Sequence, residues 1–168
     1  MNRQEIVELL KSLFDGNMIQ EVNPAFAQPQ LLVATESISL VCEALQKNPL
    51  TYFDFLSCLT ALDNGPAANT LEVIYNLYSL PFEHSITLKV VIPRKVEGND
   101  AYVPEIPTVS NVYKSALWHE REAFDFFGIV FTNHPDLRRI FLPEDWKGYP
   151  LRKDYTQEEY YHGIKIEY

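Results

Sequence analysis

The feature that most constrains this chain is a pair of period-two runs set close together. Leu71, Val73, Tyr75 and Leu77 alternate with Glu72, Ile74, Asn76 and Tyr78, and Ile86, Leu88, Val90 and Ile92 alternate with Ser85, Thr87, Lys89 and Val91. Successive strand side chains point to opposite faces, so each run gives one face to a core. The short Leu80–His84 connection makes the two an antiparallel hairpin. Asp63-Asn64-Gly65-Pro66 is a strong turn before it.

Helical spacing frames the hairpin. Ile6, Leu9, Leu10 and Leu13 predict a first helix over 3–14. Leu31–Ala34 suits a short strand. Thr35 or Ser37 can then cap a helix whose Ile38, Val41, Cys42 and Leu45 share a face, with Pro49 ending it. Tyr52–Leu62 is ambiguous: a short helix could run straight into a strand. Residues 101–110 form a proline-containing loop, and a long helix follows from about Thr108 to Phe127, stopped by Gly128. Beyond Phe131 no period survives four turns. The expected fold is α+β: a small, mostly antiparallel sheet packed against helices. Residues 1–131 form the core domain and 132–168 an irregular C-terminal extension, within a single domain overall. A tail of that kind cannot fold alone and must pack on its own domain or on a partner.

Several functions lack their chemistry here. A net charge of −9 does not favour a phosphate backbone. No apolar run approaches the roughly 20 residues of a membrane span, and the amphipathic N-terminus matches neither a signal nor a transit peptide. The two cysteines, Cys42 and Cys58, make no disulfide framework, point to a reducing setting, and cannot hold an ordinary four-cysteine cluster. Both read as small buried hydrophobes. Glycine-rich phosphate loops and a nucleophile elbow are absent from the sequence. Glu144-Asp145 and Glu158-Glu159 read as solvated carboxylates.

The informative stretch is the last long helix. Tyr113, Leu117, Glu120, Phe124 and Phe127 fall on one face, which puts a carboxylate inside an apolar stripe. A lone buried carboxylate is costly. Arg138 or Arg139 could grip it in a bidentate fork; alternatively, Glu120 lies at the stripe's edge and reaches water. Arg121 and Asp125, four apart, are placed to pair on the outer face. His119-Glu120 suggests a zinc-protease motif, but Ala123 stands where its second histidine belongs. A remote alternative is a stand-alone metal-dependent enzyme using His119, Glu120 and His134, with Glu122 as a further ligand.

Residues 118–155 resemble the signature of the 30-kDa subunit of respiratory complex I, the family of the NADH–quinone oxidoreductase C subunit. The stretch opens at Trp118, and the matching positions are Glu120, Arg121, Glu122, Asp125, Phe127-Gly128-Ile129, Phe131, His134, Pro135, Leu137, Arg138, Arg139, Ile140, Leu142 to Trp146, and Gly148 to Tyr155, which takes in Tyr149, Arg152 and Lys153. The resemblance implies a subunit with no catalytic residue, metal or cofactor of its own. FMN and Fe–S clusters would lie elsewhere in the complex. The chain would dock on the 49-kDa-type subunit, beside neighbouring Fe–S subunits of the peripheral arm. That places it on the cytoplasmic side of the inner membrane, without nucleic acid and without membrane insertion. The complex would be a proton-translocating NADH–quinone oxidoreductase, and the isolated chain would catalyse nothing. Related chains occur in membrane-bound hydrogenases and in the photosynthetic counterpart. Under this reading Arg138 or Arg139 pairs internally, whereas Arg152 and Lys153 meet the partner's carboxylates. Burial of Trp118, Trp146 and Tyr149 supplies most of the interface energy.

Overall fold

A computed structural model describes residues 3–14, 16, 18–21, 30–99 and 101–166. Its elements are α1 (Arg3–Leu13), β1 (Ile19–Glu21), β2 (Gln30–Val33), a 3-10 turn (Thr35–Ser37), α2 (Ile38–Lys47), β3 (Phe55–Asp63), β4 (Thr70–Ser79), β5 (His84–Pro93), β6 (Glu105–Pro107), α3 (Ala116–Phe127), β7 (Val130–Thr132), β8 (Tyr160–Tyr161) and β9 (Ile164–Lys165). The fold is α+β, as expected.

The hairpin becomes the centre of a five-stranded sheet ordered β1-β2-β5-β4-β3. Its register places Leu71 opposite Ile92, Val73 opposite Val90, Tyr75 opposite Leu88 and Leu77 opposite Ile86. All eight side chains are buried, so the alternation read from sequence is the inward face of the sheet. The other face is mixed: Lys89 pairs with Glu72 at 3.1 Å and Thr87 donates to Asn76 at 2.9 Å. Every neighbouring pair is antiparallel except β2 with β5, which run parallel. Residues 51–54 precede the strand β3, which resolves the Tyr52–Leu62 ambiguity in favour of a strand with an irregularity between Leu56 and Cys58.

The helices close the inward face. Ile38, Val41, Cys42 and Leu45 of α2 are buried together, as their spacing predicts. In α1 the buried set is Ile6, Val7 and Leu10; Leu13 is exposed, so the helix is rolled toward Val7 relative to the expected face. These side chains join Phe53, Ile106, Val109, Ile129 and Phe131 in one apolar core. Burial pushes the Cys42 thiol far above its ordinary range, which makes it an inert packing group.

The last helix begins later than its periodicity suggests, at Ala116. Residues 109–115 are turns: Tyr113 N–H donates to the Val109 carbonyl at 2.8 Å, and the Tyr113 hydroxyl is committed to the Phe53 carbonyl at 2.9 Å. Ser115 does not cap the helix with its side chain but donates it to the Leu56 carbonyl on β3. After Thr132 the chain forms turns and the β8–β9 hairpin, and runs as a strap back along α3.

Candidate docking surface on helix α3 and its strap

Helix α3 has two buried sides. Ala116, Glu120, Ala123 and Phe127 face the core, while Arg121 and Asp125 lie beneath the strap. Glu120 and Asp125 are five residues apart, hence about 140° apart around the helix. That separation decides which carboxylate the arginines reach. Arg139 donates to Asp125 Oδ1 at 2.8 Å and to the Asp125 carbonyl at 3.0 Å, and its other amine bonds the carbonyls of Trp146 and Gly148. Arg138 points outward and pairs with Asp136. The expected Glu120–arginine fork is therefore corrected: the strap crosses the wrong side of α3 to form it.

Glu120 is nonetheless fully buried. Its Oε2 lies 2.5 Å from the Thr108 hydroxyl and its Oε1 accepts the Val109 N–H at 2.7 Å. Burial, opposed by these two bonds, pushes its carboxyl up to about 7. The expected Arg121–Asp125 pair is corrected as well. Both side chains turn to the strap, Arg121 donating to the carbonyls of Arg138 and Arg139 at 3.1 Å each. Asp125 Oδ2 accepts three consecutive backbone N–H groups, from Ile140 (3.1 Å), Phe141 (2.7 Å) and Leu142 (3.0 Å). Helix and strap are thus stitched in both directions, because an arginine can satisfy carbonyls and a carboxylate can satisfy amides.

Beyond α3 a second clamp forms. Gly128 ends the helix at φ 68°, and a Cβ there would sit 2.4 Å from Tyr149 ring carbons. Only glycine lets Tyr149 approach so closely in this left-handed conformation. Tyr149 contacts two cations, with Arg152 at 4.9 Å and Arg139 at 5.5 Å from its ring centre. Arg152 also donates to the Phe127 carbonyl at 2.6 Å. At the sheet's rim, buried Arg94 bonds Asp63 at 3.1 Å and reaches Asp154, while Asp63 accepts the Lys153 N–H at 2.7 Å. The Asp63 carboxyl is raised by burial, but the Lys153 and Gly65 N–H groups and Arg94 outweigh that and hold it low.

Three large apolar side chains stand exposed among the charged residues of α3 and the strap. Trp118 is 61% exposed, Phe141 63% and Leu151 54%. Arg121 lies beneath Trp118 at 5.4 Å, and Phe126 stacks on Phe141 at 5.4 Å. Glu122, Pro135, Arg138 and Lys153 are exposed as well, whereas Trp146, Tyr149, Arg152 and Tyr155 are half-buried in the strap. A cleft of about 400 Å³ lies among Lys147, Tyr149, Arg152, Asp154, Tyr155 and Glu158. His134 is held on both ring nitrogens: Nδ1 accepts the Asp136 N–H, so Nε2 carries the proton and donates to the Leu117 carbonyl at 3.2 Å. A metal ligand needs a free nitrogen lone pair, and His134 has none to offer. Among the described residues no group of three or more His, Cys, Asp or Glu could hold a metal ion.

Three residues that organise the site have partners that the local sequence does not reveal. Arg94, Asp63 and Thr108 sit at or near element ends, and their partners are distant in the chain: Asp154 is 60 positions from Arg94, Lys153 is 90 from Asp63, and Glu120 is 12 from Thr108. An arginine directly after an apolar strand was the one available hint.

This fold and this double clamp define an α+β scaffold with an ordered strap stitched along its last helix. Comparison with protein families matches residues 31–161 to "Respiratory-chain NADH dehydrogenase, 30 Kd subunit". The chain belongs to that family. The NADH-quinone oxidoreductase C subunit of Chlorobium phaeobacteroides is 40% identical over 158 residues, covering 94% of this chain and 86% of that protein. Its counterpart in Chloroherpeton thalassium is 47% identical over 117 residues, covering 69% of this chain but only 45% of the longer relative. A chain in the structure of an archaeal membrane-bound sulfane sulfur reductase, a respiratory membrane complex, superposes with a TM-score of 0.73 at 22% identity, over 91% of this chain and 85% of that one. At that identity the likeness concerns the fold. No helix among the described residues is long and apolar enough to cross a membrane.

Proposed function

We propose that this chain is a non-catalytic structural subunit in the peripheral arm of a proton-translocating NADH–quinone oxidoreductase. It docks on the 49-kDa-type subunit, beside Fe–S subunits, on the cytoplasmic side of the membrane. FMN and Fe–S clusters in other subunits carry electrons from NADH to quinone, and this chain holds the arm together around that path. One observation supports the reading above the rest: three large apolar side chains, Trp118 on α3 and Phe141 and Leu151 on the strap, stand in water on a support tied down by arginine and aspartate bonds. Aromatic anchors on a rigid support, rimmed by charge, are what a protein interface needs. Rigidity lowers the ordering cost of docking. The charged rim of Glu122, Arg138 and Lys153 sets register more than affinity.

The roles of the two basic pairs divide by exposure. Arg139 and Arg152 spend their donors on carbonyls within the chain, so they position the strap. Arg138 and Lys153 reach outward and meet the partner.

The test is recovery of the tagged chain from detergent-solubilised membranes, with co-purifying subunits identified by mass spectrometry. Recovery with a 49-kDa-type subunit, flavin and Fe–S subunits supports the reading. Recovery with a nickel subunit moves the chain to a hydrogenase-type assembly, and a solitary chain overturns docking altogether. Trp118→Ala with Phe141→Ala should cut recovery of the partners at least tenfold while leaving the melting temperature of the chain itself nearly unchanged, since both side chains are exposed.

A further inference from the structure

The Glu120 carboxyl is an unusual group to leave without a cation. It is 0% exposed and has two hydrogen-bond donors, where a carboxylate offers about four acceptor sites. The ionisable groups that face it all sit in their neutral forms. From the turn after β7 comes His134, with Nε2 3.9 Å from Glu120 Oε2, its proton on Leu117 and its Nδ1 filled by Asp136 N–H. From α2 comes Cys42 and from β4 Tyr75, each pushed upward by burial first and then by Glu120. Arg121, the nearest cation along the helix, faces the strap and is committed to two carbonyls.

The hydrogen-bond pattern around the carboxyl closes when it carries a proton. Its O–H then donates to Thr108 Oγ1, whose own proton goes to Ser110 Oγ at 2.8 Å, while the Ser110 N–H donates back to Thr108 Oγ1 at 3.1 Å. Val109 N–H fills the other carboxyl oxygen. When the carboxyl is ionised the Thr108 proton must turn to it, Ser110 loses that donor, and an uncompensated charge remains in the core. The geometry therefore accommodates both states but favours the neutral one.

Glu120 also stands where three pieces meet: helix α3, the Thr108–Ser110 loop after β6, and the His134 turn from which the strap departs. We propose that Glu120 is a proton-binding latch, taking up and releasing a proton in the folded chain, and that its ionised form loosens the junction of α3, the Thr108–Ser110 loop and the root of the strap. This inference stands apart from the docking reading, because it concerns the chain itself. Burial supports it by pushing the carboxyl from 4.5 up to about 7.

The sign of the effect follows. Between those values the folded chain binds more protons than the unfolded chain, so stability falls as pH rises. His134 works in the opposite sense. Burial lowers its protonation and so makes stability rise with pH near neutrality. A net loss of stability between about pH 6 and pH 8, below the range in which the raised Cys42 and Tyr75 add to it, thus identifies Glu120 rather than His134.

The experiment uses the full chain and measures urea unfolding at about pH 6 and about pH 8, wild type against Glu120→Gln. The amide keeps a donor for Thr108 and an acceptor for Val109 but cannot ionise. In wild type the folding equilibrium constant should drop about tenfold relative to the glutamine variant across that interval. An identical pH dependence in both proteins overturns the proposal. Should the variant fail to fold, infrared spectroscopy of the wild-type chain decides: a protonated-carboxyl C=O band at about pH 6 that is lost by about pH 8.5 supports the latch, and its absence at both overturns it.

Discussion

Replacing Asp125 by alanine removes the acceptor on which the strap closes. The wild-type carboxylate is fully buried, with Arg139 on one oxygen and three strap amides on the other. The variant leaves the Arg139 guanidinium, whose side chain is 14% exposed, without its counter-charge. Breaking a buried ion pair from one side costs about 3–5 kcal/mol. The stranded amides of Ile140, Phe141 and Leu142 do not add fully to this, because those residues are half-buried or exposed and water reaches them once the strap relaxes. The expected loss is therefore about 3–5 kcal/mol, or a fall of about 6–20 °C in melting temperature for a domain of this size. Asp125→Asn should lose less, since it keeps the shape and one acceptor. Calorimetry of the full chain gives the magnitude, and limited proteolysis read by mass spectrometry should show new cleavage between residues 133 and 155. A melting shift under about 2 °C with an unchanged cleavage map would refute the argument.

The same carboxylate carries an acid signature. Burial raises it, but the N–H groups of Leu142 and Phe141, then Arg139 and Ile140, outweigh burial and hold it below 3.8. The folded chain then binds fewer protons than the unfolded one. Its stabilisation is present above about pH 3.8 and disappears as pH falls through the lower folded value. Asp125→Ala should lose that part of the acid sensitivity while keeping the alkaline slope ascribed to Glu120. Two further substitutions test the second clamp. Gly128→Ala forces a side chain into a left-handed position and against Tyr149, and should cost at least about 1–2 kcal/mol by denaturant unfolding; pairing it with Tyr149→Ala should recover the part due to the clash. Arg94→Met leaves Asp63 buried and unpaired, and should destabilise by about 3–5 kcal/mol. Adding Asp63→Asn to that variant should restore part of the loss, which a denaturant midpoint would reveal.

Period and register carried most of the fold. The β4–β5 alternation placed every inward residue correctly because one buried face fixes strand register. The α2 face was legible for the same reason. The start of α3 was not, since Tyr113 and Ser115 serve partners on residues 53 and 56 that sequence proximity does not reveal. Several side chains that tie α3 to the strap stand out in the sequence, but their wiring does not. Glu120 was recognisable as a carboxylate in an apolar stripe, but its partners Thr108 and Val109 come from a segment whose helical period continued into α3 and concealed a turn. Arg121 and Asp125 match a surface ion pair at four-residue spacing. Only the path of the strap shows that they share a cover instead of each other. The parallel pairing of β2 with β5 depends on a crossover through α2, β3 and β4, which no local pattern encodes.

The bond from Lys153 to Asp63 spans 90 positions of chain, and it ties the strap to the end of strand β3. Closing so long a loop before its surroundings exist costs chain entropy that one hydrogen bond does not repay. The β3–β4–β5 meander has short connections and can form first. Strap docking is then a late step that turns a sheet with a loose tail into the finished fold. Until it happens, Trp118, Phe141 and Leu151 are not yet arranged as a surface. Under the proposed docking, a newly made chain becomes competent for assembly only after the strap has folded back on α3 and the rim of the sheet, so truncation near residue 153 should impair maturation far more than the few lost contacts suggest.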